Sequence, residues 1–396
     1  MLKKVNPIYF SAKGCLGLLA ETGDSDIVNF YDAIDKESLA AFEDNPIVKS
    51  RVISLEARYN VWNVIAAETD CPTIVDLPCG YLPHCLTAAR LNKNYYGFDL
   101  PVVTDEISRV AAQNLTETEK SFVRYCGVDA TNFDSMRNAL QGVRGKICII
   151  TDGLLGYFNR ADLKIFCENI RRLLLEFGGC WYTSDSQFDK MMGMTYAALT
   201  GGDAEDMLNA TNSVIKKVAE ADNSACVFLN GTLEERRIFI EESGFSIESF
   251  RYPDKLKVIP SLRKNPELME RMLSAYQDME EWILTADGTG STVKRTAEIP
   301  FAQEFSLNGG TLSIRISGRL DTITTPKLLQ EYEERRAKCS FAEIHIDAAE
   351  LEYISYAGLR GFKIMRDSLK DENSFSVNNA SDEVKNILSA DGFRVS

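Results

Sequence analysis

Only two histidines, His84 and His345, occur in 396 residues, and they lie far apart. Ten cysteines are present but none forms a C-x-x-C pair, so no Cys/His set has zinc-site spacing and no structural metal is expected. Gly and Pro are sparse, at 25 and 11 residues, which excludes collagen-like and low-complexity chains. No run approaches the roughly 18 consecutive apolar residues that a membrane-spanning helix needs. Positive charge is in deficit: 44 Lys and Arg against 58 Asp and Glu give −14, which repels nucleic-acid phosphates and anionic membrane surfaces. Lys3 and Lys4 are followed by VNPIYFSAKG, too broken for the apolar region of a secretory signal. The cysteines sit mostly in apolar runs such as KICII, which fits buried free thiols in a reducing cytoplasm.

What is there is a globular chain, 45% apolar and 26% charged, long enough for two or three domains. Residues 1–70 read as a helical N-terminal cap, with apolar positions at helical spacing and Pro46 starting a new helix. Residues 71–285 alternate short β-rich runs (TIVDL, NYYGFDL, KICIIT, CWYTSD) with amphipathic stretches, which predicts a doubly wound α/β sheet whose ligand site lies beyond the carboxyl ends of the strands. A Met-rich stretch after Phe188 reads as an insertion covering the site. GTLEERRIFIEESGF predicts a capped helix with Gly244 just past its end. SIESFRY and KLKVIP then read as strands, and NPELMERMLSAYQDMEEWILTAD as one helix. Residues 286–297 carry Gly, Ser, Thr and charge without an apolar period and read as a linker. Residues 298–396 start over as a small α/β domain with a turn at Asn308-Gly309.

Four predicted strands end on an acidic residue. Asp76 precedes a tight turn at Gly80, where a backbone without Cβ can approach a ligand. Asp99 ends the next strand, and a carboxylate there suits two ribose hydroxyls. Asp129 follows the third strand, where it could face an adenine amino group, and Asp152 follows the very apolar KICIIT. A nicotinamide enzyme, an S-adenosylmethionine enzyme and a decayed ligand site all compete for this series. The turn lacks G-x-G-x-x-G and offers one Gly with Pro78 and Cys79, which disfavours a dinucleotide.

The stretches EARY (with Arg58), VDLPCGY, YGFDLPVV, VDAT and TDGLLGYF resemble the leucine carboxyl methyltransferase family, which includes polyketide O-methyltransferases of the tetracenomycin type. The resemblance implies a class I methyltransferase fold, S-adenosylmethionine as cofactor, and a carboxylate or hydroxyl acceptor. By position it implies that Arg58 pairs with the cofactor carboxylate, Gly80 admits its methionine part, Asp99 holds the ribose and Asp129 the adenine edge, with Asp152 where the family carries Glu. Pro78 stands where the family has its first glycine. For a hydroxyl acceptor, Asp152, His84 and Tyr157 are the candidate bases.

In the tail, ISGRLDTITTPKL and LEYISYAGLRGF resemble the STAS family of anti-sigma-factor antagonists. That resemblance implies a protein partner, and a loop in which Tyr356 takes the usual phosphoacceptor position with Ser355 one place earlier. Read from its own surroundings, Ser355 is equally a cap for the helix beginning near Ala357. The expectation for the whole chain is a cytoplasmic O-methyltransferase with a regulatory or docking module. The competing expectation is a catalytically silent adenosine-ligand sensor that signals through the tail.

Overall fold

The computed structural model describes residues 8–36, 45–202, 228, 231–286, 288, 299–371 and 374–395. The chain divides into two compact units, with the break between Gly290 and Ser291. Most of the expected linker lies outside the described residues.

The first unit opens with three helices, α1 (Ile8–Ala20), α2 (Ser25–Ala33) and α3 (Pro46–Glu68). Asn45 caps α3 by accepting the Val48 N–H at 2.9 Å, and Pro46 occupies the first turn, where its missing N–H costs nothing. Strands and helices then alternate as β1 (Thr73–Asp76), α4 (His84–Arg90), β2 (Asn94–Asp99), α5 (Pro101–Asn114), β3 (Val123–Gly127), α6 (Phe133–Ala139), β4 (Ile147–Thr151), α7 (Arg160–Phe177) and β5 (Gly179–Thr183). After these come α8 (Phe188–Thr200), α9 (Leu233–Glu242), β6 (Phe245–Arg251), α10 (Pro266–Ala275) and β7 (Glu280–Ala286). The seven strands form one sheet in the order β3-β2-β1-β4-β5-β7-β6. Strands β1 to β5 are parallel, and β7 runs antiparallel to both neighbours.

The fold is therefore α/β, as expected, and side-chain alternation builds its two cores. Ile74, Tyr95, Cys148, Ile150 and Tyr182 face one way and pack with α3, α4, α5 and α10. Val75, Tyr96, Ile147, Ile149 and Trp181 face the other way and pack with α6, α7 and α9. The predicted capping of α9 is present: Thr232 and Glu235 exchange a capping box, and Gly244 follows the helix at φ +86°.

Two expected elements differ. KLKVIP is not a strand: a helical turn at Tyr252–Lys255 leads into irregular backbone and a 3₁₀ turn at Pro260–Leu262. Leu256 and Ile259 are buried three apart in the same core, a helix-like spacing that alternation along a strand does not produce. The helix expected through residue 287 ends at Ala275, and EEWILTA forms β7. There Trp282 and Leu284 point into one core while Ile283 packs against the other. That alternation, with β5 and β6 available on either side, overrides the weak helical pattern.

The second unit contains β8 (Ala302–Asn308), β9 (Thr311–Leu320), α11 (Thr324–Lys338), β10 (Glu343–Ile354), α12 (Tyr356–Asp367), β11 (Phe375–Asn378) and α13 (Asp382–Ala390). Its sheet runs β11-β10-β9-β8, parallel except for the β8–β9 hairpin. The hairpin turns through Gly309 and Gly310, both at positive φ (+58° and +91°), which a side chain would disfavour.

Trp282 is fully buried on β7, register-paired with Thr183 and Ser249. Trp282→Ala is expected to destabilise the first unit by about 3–5 kcal/mol in urea unfolding followed through that unit's own transition. Leu307→Ala, at 43% exposure on the hairpin of the second unit, should leave both transitions within about 0.5 kcal/mol.

Candidate functional site

The acidic strand ends lie on neighbouring strands at the carboxyl edge of the sheet. Asp99 and Asp76 are the last residues of β2 and β1, and Asp129 and Asp152 lie just past β3 and β4. The strand order reverses direction between β1 and β4, the place where open α/β sheets bind ligands.

The turn after β1 is pinned from both sides. Leu77 donates its N–H to the Ile150 carbonyl and Cys79 to the Phe98 carbonyl, both at 2.9 Å. Gly80 donates its N–H to Asp99 Oδ2 at 2.9 Å. Gly80 has φ +53°, so its backbone conformation, rather than space, demands glycine. A Cβ there would lie 3.8 Å from Ala12 of α1. Asp99 Oδ1 accepts the Leu100 N–H at 2.7 Å. Burial holds the Asp99 carboxyl up at about 6, with these two amides pulling the other way.

Asp76 has a different environment. It is 1% exposed, and its carboxylate accepts from Trp62 Nε1 (3.1 Å) and Tyr95 OH (2.7 Å), with His84 Nδ1 at 2.9 Å. The His84 ring stacks on Trp62 at 3.9 Å between centroids and on Tyr59 at 5.2 Å. Its Nε2 is buried without a hydrogen-bond partner among the described residues. Asp76 and His84 thus form a buried dyad, and three protein groups occupy the carboxylate. Asp129 is 2% exposed and accepts the N–H and hydroxyl of Thr131, both at 2.7 Å.

A second cluster surrounds Asp152. Arg58, buried on α3, donates Nε to Asp152 Oδ1 at 2.8 Å and also bonds it through Nη2, while the Ser184 hydroxyl donates to the same oxygen. Burial opposes the Arg58 charge, but Asp152 and then Asp185 outweigh it, so the guanidinium pKa rises. The Phe188 ring lies 4.4 Å from Arg58 Cζ. Asp185 accepts the N–H groups of Gly153, Leu154 and Leu155 at 2.8, 2.9 and 2.8 Å, and so shapes the loop that carries Asp152. Burial pushes its carboxyl up, while those amides and Arg58 pull it back. Gly153 has φ +73°, and a Cβ there would sit 3.0 Å from Arg58 Nη2.

Tyr157 stands on the 3₁₀ turn Leu155–Tyr157, half-buried, with its hydroxyl bonded to the Ser11 side chain; burial raises its pKa. Helix α1 thus meets the edge at several points, with Ser11 on Tyr157 and Ala12 facing Gly80. Cys15 lies within electrostatic reach of Arg58 and Asp152. Buried Lys13 anchors the helix by donating to Glu106 Oε1 and to the Asp35 carbonyl, each at 2.9 Å.

Sequence reasoning passed over Ser184, Asp185 and Glu281. Ser184 and Asp185 directly follow β5, so the rule that picked the other strand ends would have reached them. Glu281 was hidden inside the expected helix. It is 2% exposed on β7, accepts the Tyr182 hydroxyl at 2.5 Å, and is pushed up to about 8 by burial, with Asp152 and Asp185 adding to the rise and Arg58 opposing it.

In the second unit, Ser355 is 3% exposed and caps α12, its Oγ accepting the Gly358 N–H at 3.4 Å and its own N–H donating to the Leu320 carbonyl at 2.9 Å. Tyr356 begins α12, and its side chain lies outside the described set. Asp321 accepts the N–H groups of Ile323 and Thr324 at 3.0 Å, starting α11.

No family model matches the chain, and no curated protein matches it. Among solved structures, it is similar to human N-acetylserotonin methyltransferase in complex with SAM (14% identity, 69% of this chain, 67% of that one, TM-score 0.33). It is also similar to magnesium protoporphyrin IX methyltransferase from Synechocystis with bound SAH (14% identity, 66% and 93%, TM-score 0.34). An anti-sigma factor antagonist from Mycobacterium paratuberculosis matches 24% of this chain and 85% of its own (20% identity, TM-score 0.22). At these scores the chemistry rests on the geometry of this chain's own site.

Proposed function

We propose that the first unit is an S-adenosylmethionine-dependent O-methyltransferase, of the leucine carboxyl or tetracenomycin type that its sequence resembles. One observation carries this reading: at the switch point between β1 and β4, neighbouring strands present a positive-φ glycine turn, the Asp99 carboxylate bonded to that turn, and the Arg58–Asp152 pair. The donor chemistry fits. Each Asp99 oxygen accepts one described amide bond, leaving lone pairs for two ribose hydroxyls. Arg58 would pair with the carboxylate of the methionine end, Asp152 would accept from its amino group, Gly80 would admit its chain, and Asp129 would meet the adenine edge. Asp76 stiffens this set by holding Trp62, Tyr95 and His84. The acidic surroundings favour a cation over an anion.

The cofactor supplies an electrophilic methyl group on a sulfonium. The protein's part is alignment of the acceptor oxygen and exclusion of water. A carboxylate acceptor needs no base. For a hydroxyl acceptor, Asp152, Tyr157 and His84 were the expected candidates. Asp152 is held by Arg58 and Ser184, His84 is packed against Trp62, and Tyr157 is bonded to Ser11. Glu281 joins them as a buried group able to hold or release a proton near neutral pH.

A second reading, a silent cofactor sensor, is supported by the closure of Arg58 on Asp152, which engages the two groups meant for the methionine end. In both readings the second unit is a STAS-like module that binds a protein partner near Ser355 and Tyr356. Modification of Ser355 would first have to free its buried Oγ from the cap of α12. The nine free cysteines among the described residues suit a cytoplasmic setting, and no described helix is long and apolar enough to cross a membrane.

Calorimetry should show S-adenosylmethionine binding that weakens by about 1–3 kcal/mol, roughly 5- to 150-fold, in Asp99→Ala; unchanged affinity removes Asp99 from the ribose. Since only the ionised carboxylate accepts on both oxygens, affinity should fall as pH drops through about 6 and stay level above 7. Asp99→Asn should abolish that inflection. For Glu281, the folded value near 8 exceeds the ordinary one of 4.5, so the folded state binds the extra proton between those values and stability drops as pH rises through the window. Glu281→Gln should therefore gain stability relative to the parent from pH 5 to pH 9 in urea titrations. A difference independent of pH contradicts the buried proton.

A further inference from the structure

Three thiols gather at the opposite, amino-terminal end of the large sheet. Cys148 and Cys180 are the second residues of β4 and β5 and are partners in the parallel register. Their Sγ atoms lie 3.7 Å apart. Cys71, just before β1, shares a thiol hydrogen bond with Cys180, and the Thr69 side chain bonds to both. Cys180 therefore stands in the middle, with a sulfur on each side.

The three differ in access. Cys148 is 0% exposed and Cys71 1%, whereas Cys180 is half-buried. The Lys146 ammonium, paired with Asp70 at 2.7 Å, lies within electrostatic reach of Cys71 and Cys180 and favours thiolate over thiol. Against it, the Cys148 thiol and burial hold Cys180 up at about 12. The balance is a thiol slow to ionise but provided with an adjacent partner. Strands in register lie about 4.8 Å apart, inside the range of Cα separations that disulfides span.

We propose that Cys180 and Cys148 form an oxidation site, converted by a hydroperoxide into a disulfide that joins β4 to β5. The Cys180 sulfur attacks the peroxide oxygen, an S–O bond forms and the O–O bond breaks. The departing hydroxide takes the Cys180 proton and leaves as water when the oxidant is hydrogen peroxide. The Cys148 sulfur then attacks Cys180 Sγ, the S–S bond forms, and the S–O bond breaks. The hydroxyl leaves as a second water with the Cys148 proton. Two thiols are oxidised by two electrons and one peroxide is reduced. The bond would tie the strand before Asp152 to the strand before Ser184 and Asp185, far from the carboxyl edge, so this site stands independently of the methyltransferase reading.

The test treats the full chain with hydrogen peroxide, blocks remaining thiols with N-ethylmaleimide, and maps the unreduced digest by mass spectrometry. A peptide pair joined through Cys148 and Cys180, separated by dithiothreitol, is expected, with the loss of two thiols when Cys339→Ala protein is titrated after denaturation. In a Cys71→Ser, Cys148→Ser double variant, hydrogen peroxide with dimedone present should label Cys180 as a trapped sulfenic acid, a readout that does not require the cross-link. Oxidation confined to exposed Cys339 overturns the proposal. A Cys71–Cys180 link in the unmutated chain overturns the pairing with Cys148.

Discussion

Arg58 enters from helix α3 into a region where Asp185 and Glu281 are withdrawn from water and Asp152 is partly so. One guanidinium faces three carboxyl groups, and each acid reaches a different settlement. Asp152 keeps its charge partner at hydrogen-bond distance. Asp185 draws three consecutive backbone amides onto its carboxylate. Glu281, with the Tyr182 hydroxyl as its hydrogen-bond partner, holds a proton to higher pH than an ordinary glutamate. Removing Arg58 would leave the partly buried Asp152 without its cation and Asp185 without the charge that opposes its burial. The geometry of the β4 loop and the charge at this part of the carboxyl edge both depend on this balance.

The parallel sheet explains why these groups meet. Every β-α connection returns the chain to the same edge, so residues that end β1, β2, β3, β4 and β5 become neighbours although they span more than a hundred positions in sequence. The loops there are held by backbone bonds across strands, as with Leu77 to Ile150 and Cys79 to Phe98. Helix α1 lies along this edge, and its buried Lys13 fastens it to α5 through Glu106. The amino-terminal edge collects residues by the same rule, which brings Cys148 and Cys180 side by side.

Much of this architecture was legible in advance because its signals are local. Asn45 and Pro46 announce α3, Thr232 and Glu235 cap α9, and KICIIT is too apolar and too short to be anything but a buried strand. The misread segment, EEWILTA, carries a weak alternation that helical spacing nearby obscures, and its strand exists because β5 and β6 leave a place between them. Misplacing it concealed Glu281. KLKVIP failed for the opposite reason: its β-prone residues bury three apart, and Pro260 cannot donate to a ladder.

Composition, periodicity and turn chemistry determined that the chain holds an α/β sheet with acids at its strand ends, a glycine at the first turn and a second small α/β unit. Whether each acid is available to a ligand was decided by the tertiary structure alone. Asp76 and Asp99 look alike along the chain, yet Asp76 is enclosed by Trp62, Tyr95 and His84 while Asp99 carries two described amide bonds and keeps lone pairs to spare. The reason is physical: strand patterning places a carboxylate at an edge, but the groups that surround it come from α3, β2 and α4, and only packing brings them within hydrogen-bond range.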